Sequence, residues 1–459
     1  MSTGENRESD IGQFPSPAAP RTSGSRAAFV FILVTVAMDF LAFGIIAPVL
    51  PNLIIQFEGG NIARASAITG YFGFAWATMQ FLFSPVLGAW SDRFGRRPII
   101  LISCLGLGLD YIFMAVAPTV GWLFVGRIIS GITTSNVSTA FAYVADVSPP
   151  EKRAKQYGLL GASFGVGFVI GPAVGGLLGH YSLRAPFWAA AVLSLANFLY
   201  GALVLPESLP AEKRAKSAWH MANPLGSLTL LRSHRVLSGL SVVCVLYYLA
   251  HQALPSVFVL YTEYRYGWNE RSVGIALGAV GVCVAVVSGG LVGPYVKKFG
   301  ERFSLVSGLF FGVLGFAGFG LATRGWAFLG AVPLIAMWGV AGPSMQSLMS
   351  QLVEPSSQGK LQGAINSLRA LTGMAGPLLF TQVFSAAISP GRAVDLPGAP
   401  YLLATVLLVG SVLLAVVVTR RRAADESEFG GGARNRKNGG PSKLPSKIGA
   451  SRVNKPPFE

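Results

Sequence analysis

Apolar positions in this chain gather into runs of about twenty residues broken by short polar stretches, the pattern of helices that cross a bilayer. About twelve such runs follow Ala27, near 28–50, 66–90, 98–117, 120–146, 156–180, 185–205, 236–260, 271–295, 303–322, 326–352, 361–387 and 399–419. The pattern predicts an all-α polytopic membrane protein of twelve transmembrane helices. Residues 1–27 lack an apolar signal core and are expected to form a disordered tail, as is the Gly/Ser/Lys/Arg-rich segment 423–459. The longest internal polar stretch, 206–235, separates a first half (28–205) from a second half (236–422), six runs in each.

Basic residues set the orientation. Glu151–Lys155, Lys213–Lys216 and Lys297–Arg302 are rich in Lys and Arg, whereas the turn Pro118-Thr119-Val120 on the opposite side carries no charge. The bias places both termini and the 206–235 linker in the cytoplasm, in a plasma (inner) membrane protein that reads as a monomer. The basic C-terminal tail is expected to lie near anionic lipid.

Composition then excludes several classes. Of 459 residues 52% are hydrophobic and only 12% charged, so the net charge of +16 belongs to membrane orientation and not to nucleic acid. Cys104, Cys244 and Cys283 all lie in apolar runs, without metal-ligand spacing or a disulfide framework. No phosphate-binding loop occurs, so ATP is not the energy source, and no nucleophile and base pair marks an enzyme. No cofactor is expected, and composition implies the bilayer as a partner.

The two halves repeat one another. Leu87-Gly88 to Phe94-Gly95 matches Val292-Gly293 to Phe299-Gly300, Gly158 matches Gly363, and Gly171-Pro172 matches Gly376-Pro377, at a common offset of about 205 residues. The stretch Gly88–Arg97 reads as a very tight loop: Gly88 and Gly95 let the chain turn, Asp92 accepts from a helix N-terminus or an arginine, and Arg93, Arg96 and Arg97 hold it at the cytoplasmic face. This loop resembles the G-x-x-x-D-[RK]-x-G-R-[RK] signature of the major facilitator superfamily, with one extra residue before the aspartate. The resemblance implies two pseudo-symmetric six-helix halves, with a substrate site between them near the midplane.

Charges inside the membrane are costly and point to function. Asp39 lies mid-run in the first span without an obvious partner in the sequence, and so is a candidate to carry a proton. Asp110 and Arg127 sit about eight residues either side of the Pro118–Val120 turn, at one depth, where they can face each other across the hairpin. Asp110 is then either a fixed counter-ion, the role the adjacent Arg favours, or a titrating group. Gly315 occupies the position that repeats Asp110, so a proton carrier belongs to the first half. Arg369 either snorkels to the inner face or takes part in a site. Tyr248, His251 and Gln252 either line the path or are satisfied between helices.

In the fifth span Gly161, Gly165, Gly167, Gly171, Gly175 and Gly179 make a small-residue face beside Pro172, which predicts close helix packing and a kink. Gly165–Gly176 also resembles the fifth-helix motif of drug/proton antiporters. Asp39–Pro51, Met79-Gln80 before Ser84-Pro85, Leu109-Asp110-Tyr111, Gly126–Thr133, Ala145-Asp146 and Phe258–Trp268 resemble the tetracycline/proton antiporters, across most of Ala27–Arg420. That resemblance implies export of a drug-like solute, such as tetracycline, driven by the proton gradient; a metabolite symporter is the alternative. It also implies that Asp39, Asp110 and Arg127 couple protons, Gln80 lines the substrate path, and Asp92, Arg96 and Asp146 gate the inner face. Some members carry His, Gln and Asp where this chain has Val284, Ser288 and Gly312, which implies a more apolar cavity suited to a more lipophilic solute.

Overall fold

The computed structural model describes residues 22–134, 137–214, 226–354, 357–391 and 395–435, and among these the regular elements are all helical. Among the described residues eleven helices are long and apolar enough to cross a membrane: Ala27–Phe57, Ile62–Phe94, Arg96–Val116, Lys155–Tyr181, Ala185–Val204, Arg235–Tyr266, Glu270–Phe299, Glu301–Leu321, Gly325–Ser350, Gln358–Ala387 and Ala399–Arg420. The expected fourth span is a pair of shorter helices, Val120–Thr133 and Val137–Val147, either side of residues 135–136, which lie outside the described part. Counting that pair as one, the elements below are called the first to twelfth spans in chain order.

Expected ends shift in three places. The first helix already starts at Thr22, and the last runs on to Asn435 instead of stopping near 422, because extending an anchored helix adds one hydrogen bond per residue without a new nucleation cost. The rest of both tails, 1–21 and 436–459, and linker residues 215–225 lie outside the described residues. The Gly88–Arg97 loop is shorter than expected: the second helix continues through Phe94, and the chain turns at Gly95 alone. Gly95 has φ +107, a conformation open to glycine, and Gly88 stays helical.

The repeat is visible in the backbone. Gly300, 205 residues after Gly95, has φ +80 and likewise ends one helix and begins the next. Pro172 and Pro377 sit inside the long fifth and eleventh helices at the same offset. Irregular turns interrupt other spans at Ala47–Val49, at Gln252, and at a single π turn, Val287–Leu291, in the eighth.

The halves meet along two seams. In one, the fifth span crosses the eighth: a Cβ on Gly176 would lie 2.9 Å from the Cα of Gly274, and one on Gly281 would lie 2.6 Å from Val169 Cγ2. In the other, the second span crosses the eleventh, where Ser66 Oγ donates to the Thr381 carbonyl (2.9 Å) and Gln382 Nε2 to that of Ala67 (3.3 Å). Small residues admit this close backbone approach. Asn52 adds a hydrogen bond to Glu270 (3.1 Å). All these contacts lie toward the end of the molecule opposite the chain termini. Toward the termini the seams part: a Cβ on Gly158, Gly161, Gly165, Gly289, Gly290 or Gly293 would meet nothing within 4 Å. The protein is closed at one end and open at the other.

Candidate functional site

Asp39 projects from the first span toward Cys104 of the third and Asn197 of the sixth. The Asn197 amide donates to Asp39 Oδ1 (2.9 Å) and to the Thr35 carbonyl (2.9 Å), and the Cys104 thiol lies 3.8 and 3.9 Å from the two carboxylate oxygens. Asn197 and Cys104 are fully buried. The expectation that Asp39 lacks a partner is corrected. Its partner stands 158 residues away, and the signal for it was an amide inside an apolar run, where polar groups are expensive.

Asp110 and Arg127 come to one level but do not form an ion pair among the described residues. Asp110 is almost fully buried and accepts a short hydrogen bond from Ser130, while its other carboxylate oxygen has no hydrogen-bond partner. The Arg127 guanidinium lies over the Trp76 ring of the second span, 5.4 Å from its centroid, and Trp76 in turn stacks on Phe43. Ser130 is one helical turn beyond Arg127, so it meets Asp110 from the same face. At the repeat positions Gly315 replaces Asp110 and Ile335 replaces Ser130, and a Cβ on Gly315 would lie 2.6 Å from Ile335 Cδ1. The second half keeps the contact and drops the charge.

At the open end one guanidinium gathers three spans. Arg96 Nη1 donates to Ser91 Oγ (2.7 Å) and closely to Asp92, and Nε donates to Asp146 Oδ2 (3.0 Å), which also accepts from Ser208 Oγ (3.2 Å). Arg93 lies over Phe94, 5.2 Å from the ring centroid. Glu207, which the sequence did not single out, caps the third helix. Its carboxylate accepts from the backbone N–H of Arg96 (2.9 Å) and Arg97 (3.3 Å), and from Ser208 and Leu209 (3.0 Å each). A glycine has no side chain to cap a helix, so a carboxylate from the linker takes the role at Gly95. A Cβ at Gly95 would collide with Glu207. Arg97 and Tyr143 tie the same segment down through the carbonyls of Ala202 (2.5 Å) and Pro206 (2.9 Å).

The fifth-span glycines divide their work. A Cβ on Gly171 would lie 2.6 Å from Gly44 Cα and one on Gly175 would strike the Ile45 carbonyl, so both hold the first span. Gly176 and the Pro172 carbonyl face the eighth span of the other half, while the Pro172 ring lies against Gly44 of the first span and Gly165 opens onto empty space.

Between the halves, His251 is exposed, its ring packed against Trp338 (5.5 Å between centroids) and Tyr247 (6.5 Å). Tyr247 meets Tyr248 (5.2 Å), and the Arg369 guanidinium lies 5.8 Å from the Tyr248 ring centroid. Gln252 packs against the Gly373 and Gly376 face of the eleventh span, while Gln80 lies half-buried in the second. Arg369 is farther from its helix end than expected. The helix begins at Gln358, which puts Arg369 about 17 Å along an axis of about 45 Å. A cavity of about 220 Å³ next to it is lined by Val36, Phe40, Val137, Ala140, Phe141, Leu160 and Gly161, all from the first half.

The family model for the Major Facilitator Superfamily matches residues 32–377. The tetracycline resistance protein of class C from Escherichia coli is 38% identical over 368 residues, 80% of this chain and 91% of that protein. The class G protein from Vibrio anguillarum is 35% identical over 367 residues, 79% and 91% of the two chains. A bacterial homolog of the human lysosomal transporter Spinster, solved in an inward-facing and occupied conformation, shares the fold with a TM-score of 0.69 at 16% identity, covering 88% of this chain and 98% of that one. With its backbone repeated at one offset, two halves closed at one end over a polar interior, and this match across most of its length, the chain belongs to the major facilitator superfamily and is a transporter, not an enzyme.

Proposed function

We propose that this chain exports a drug-like organic solute, with tetracycline the first compound to test, in exchange for protons by alternating access. The observation that carries the proposal is the hydrogen bond from Asn197 to Asp39 inside the membrane. A neutral amide is a donor that serves both the ionised and the protonated acid, which suits a group that must change state during each cycle. The names of the relatives support tetracycline as solute. The basic bias of the loops supports a plasma membrane protein with both termini in the cytoplasm, and in that orientation the open end faces inward. The solute enters from the cytoplasm between Gln80, His251, Gln252 and the first-half wall. Asp39 takes a proton from outside and releases it inside, Asp110 and Arg127 hold the interior polar, and the Arg96, Asp92 and Asp146 cluster sets the position of the inner gate.

Inverted membrane vesicles with an inside-acid pH gradient test this. Uptake of tetracycline, or of another lipophilic drug in a panel, that a protonophore abolishes is the expected result. Uptake of no panel compound, or uptake indifferent to the protonophore, overturns the reading.

A further inference from the structure

Arg369 is a cation inside the eleventh span that no acidic side chain of the described residues meets within ion-pair distance. It is exposed toward the space between the halves, and its guanidinium lies over the face of Tyr248. A charge within a span that faces the open space between helices marks a solute or ion pathway by default. Next to it lies the cavity of about 220 Å³, with Phe40 and Phe141 among its walls, large enough for a fused ring pair but not for a whole drug. On the other side Tyr248, Tyr247, Trp338 and His251 form a continuous aromatic wall, and the buried Trp338 indole N–H has no hydrogen-bond partner among the described residues.

We propose that Arg369 and this slot form an anion subsite. A planar aromatic ring lies between Phe40, Phe141 and Leu160, and its carboxylate or enolate oxygens meet the Arg369 guanidinium. The subsite deepens the export reading and rests on it, since it assigns the substrate class: planar aromatic solutes that carry a negative group. A guanidinium already spread over an aromatic face is weakly hydrated and offers two parallel N–H donors, the geometry a carboxylate takes.

The full-length protein in lipid nanodiscs tests it with nalidixate, a planar bicyclic carboxylate, and its uncharged methyl ester, both read by quenching of intrinsic tryptophan fluorescence. The wild type is expected to bind the carboxylate about tenfold more tightly than the ester. Arg369→Gln reduces that preference to within about twofold, Arg369→Lys keeps part of it, and Gly161→Leu, which fills open space at the slot, weakens both probes. Equal affinity of the wild type for the two probes overturns the subsite without any variant, as does a preference that survives Arg369→Gln in protein with an unchanged melting temperature. Failure of the wild type to bind either probe also overturns it. Drug uptake in vesicles reports separately on export, so the subsite can fall while export stands.

Discussion

Gln351 Nε2 donates to Glu301 Oε2 at 2.6 Å, and these two residues stand at the repeat positions of Asp146 and Arg96, which meet at 3.0 Å in the first half. The duplication has kept the contact between the inner ends and exchanged an ion pair for an amide and a carboxylate. The first-half cluster holds one cation among two acids, so deleting the cation leaves like charges together, while the second-half contact has little to lose.

Arg96→Ala is therefore expected to lower transport at least about tenfold, whereas Glu301→Gln changes it by no more than about twofold. Initial uptake rates in inverted vesicles, normalised to protein in the membrane, check the contrast; equal losses would remove the asymmetry.

Asp39→Asn is expected to abolish proton-coupled uptake while leaving folded protein in the membrane. Asn197→Leu removes the donor but keeps the acid. A hydrogen bond to a charged group contributes about 1.5–3 kcal/mol, so the rate should fall about tenfold or more. Proton flux on addition of drug, followed with a pH-sensitive dye in proteoliposomes, separates the two, and full activity in Asn197→Leu would remove the amide from the mechanism.

Glycines of one helix should split into two classes. Gly171→Leu drives a side chain into the backbone at Gly44 and is expected to lower the melting temperature sharply or prevent folding. Gly165→Leu meets empty space in this conformation, so the protein should fold normally. Its transport should still fail, because the same helix must pack when the open end closes. Thermal unfolding in detergent and vesicle uptake, measured side by side, decide whether Gly165 belongs to the moving seam.

The closed end can be locked. With the native cysteines replaced, the pair Asn52→Cys and Glu270→Cys stands where the present side chains share a 3.1 Å hydrogen bond. Joining the two thiols with a short bis-maleimide that contains a reducible disulfide is expected to stop transport and reduction to restore it. Transport that continues through a fully formed cross-link, assessed by gel mobility after cleavage in the linker, would show that this seam need not open.

The spans were legible because burial in lipid forces long apolar runs, and Gly95 and Gly300 stood out because a turn this tight needs glycine. Depth along a helix was legible too, which is why Asp110 and Arg127 were placed at one level. Azimuth was not: Arg127 turned to Trp76 and Asp110 to Ser130, choices set by neighbouring helices. Glu207 was missed for a different reason. A carboxylate just beyond an apolar run reads as an ordinary interfacial charge, and the helix it caps begins 111 residues earlier.

Where the first half has Asp110 and Ser130, the second has Gly315 and Ile335 in the same embrace. On the proposed reading the two copies divide the work: the first half holds the groups assigned to proton coupling, and the second contributes Arg369, His251 and Gln252 to the solute path. Grafting the 236–422 half of a relative onto the first half of this chain should then swap what is carried while the fuel stays the same.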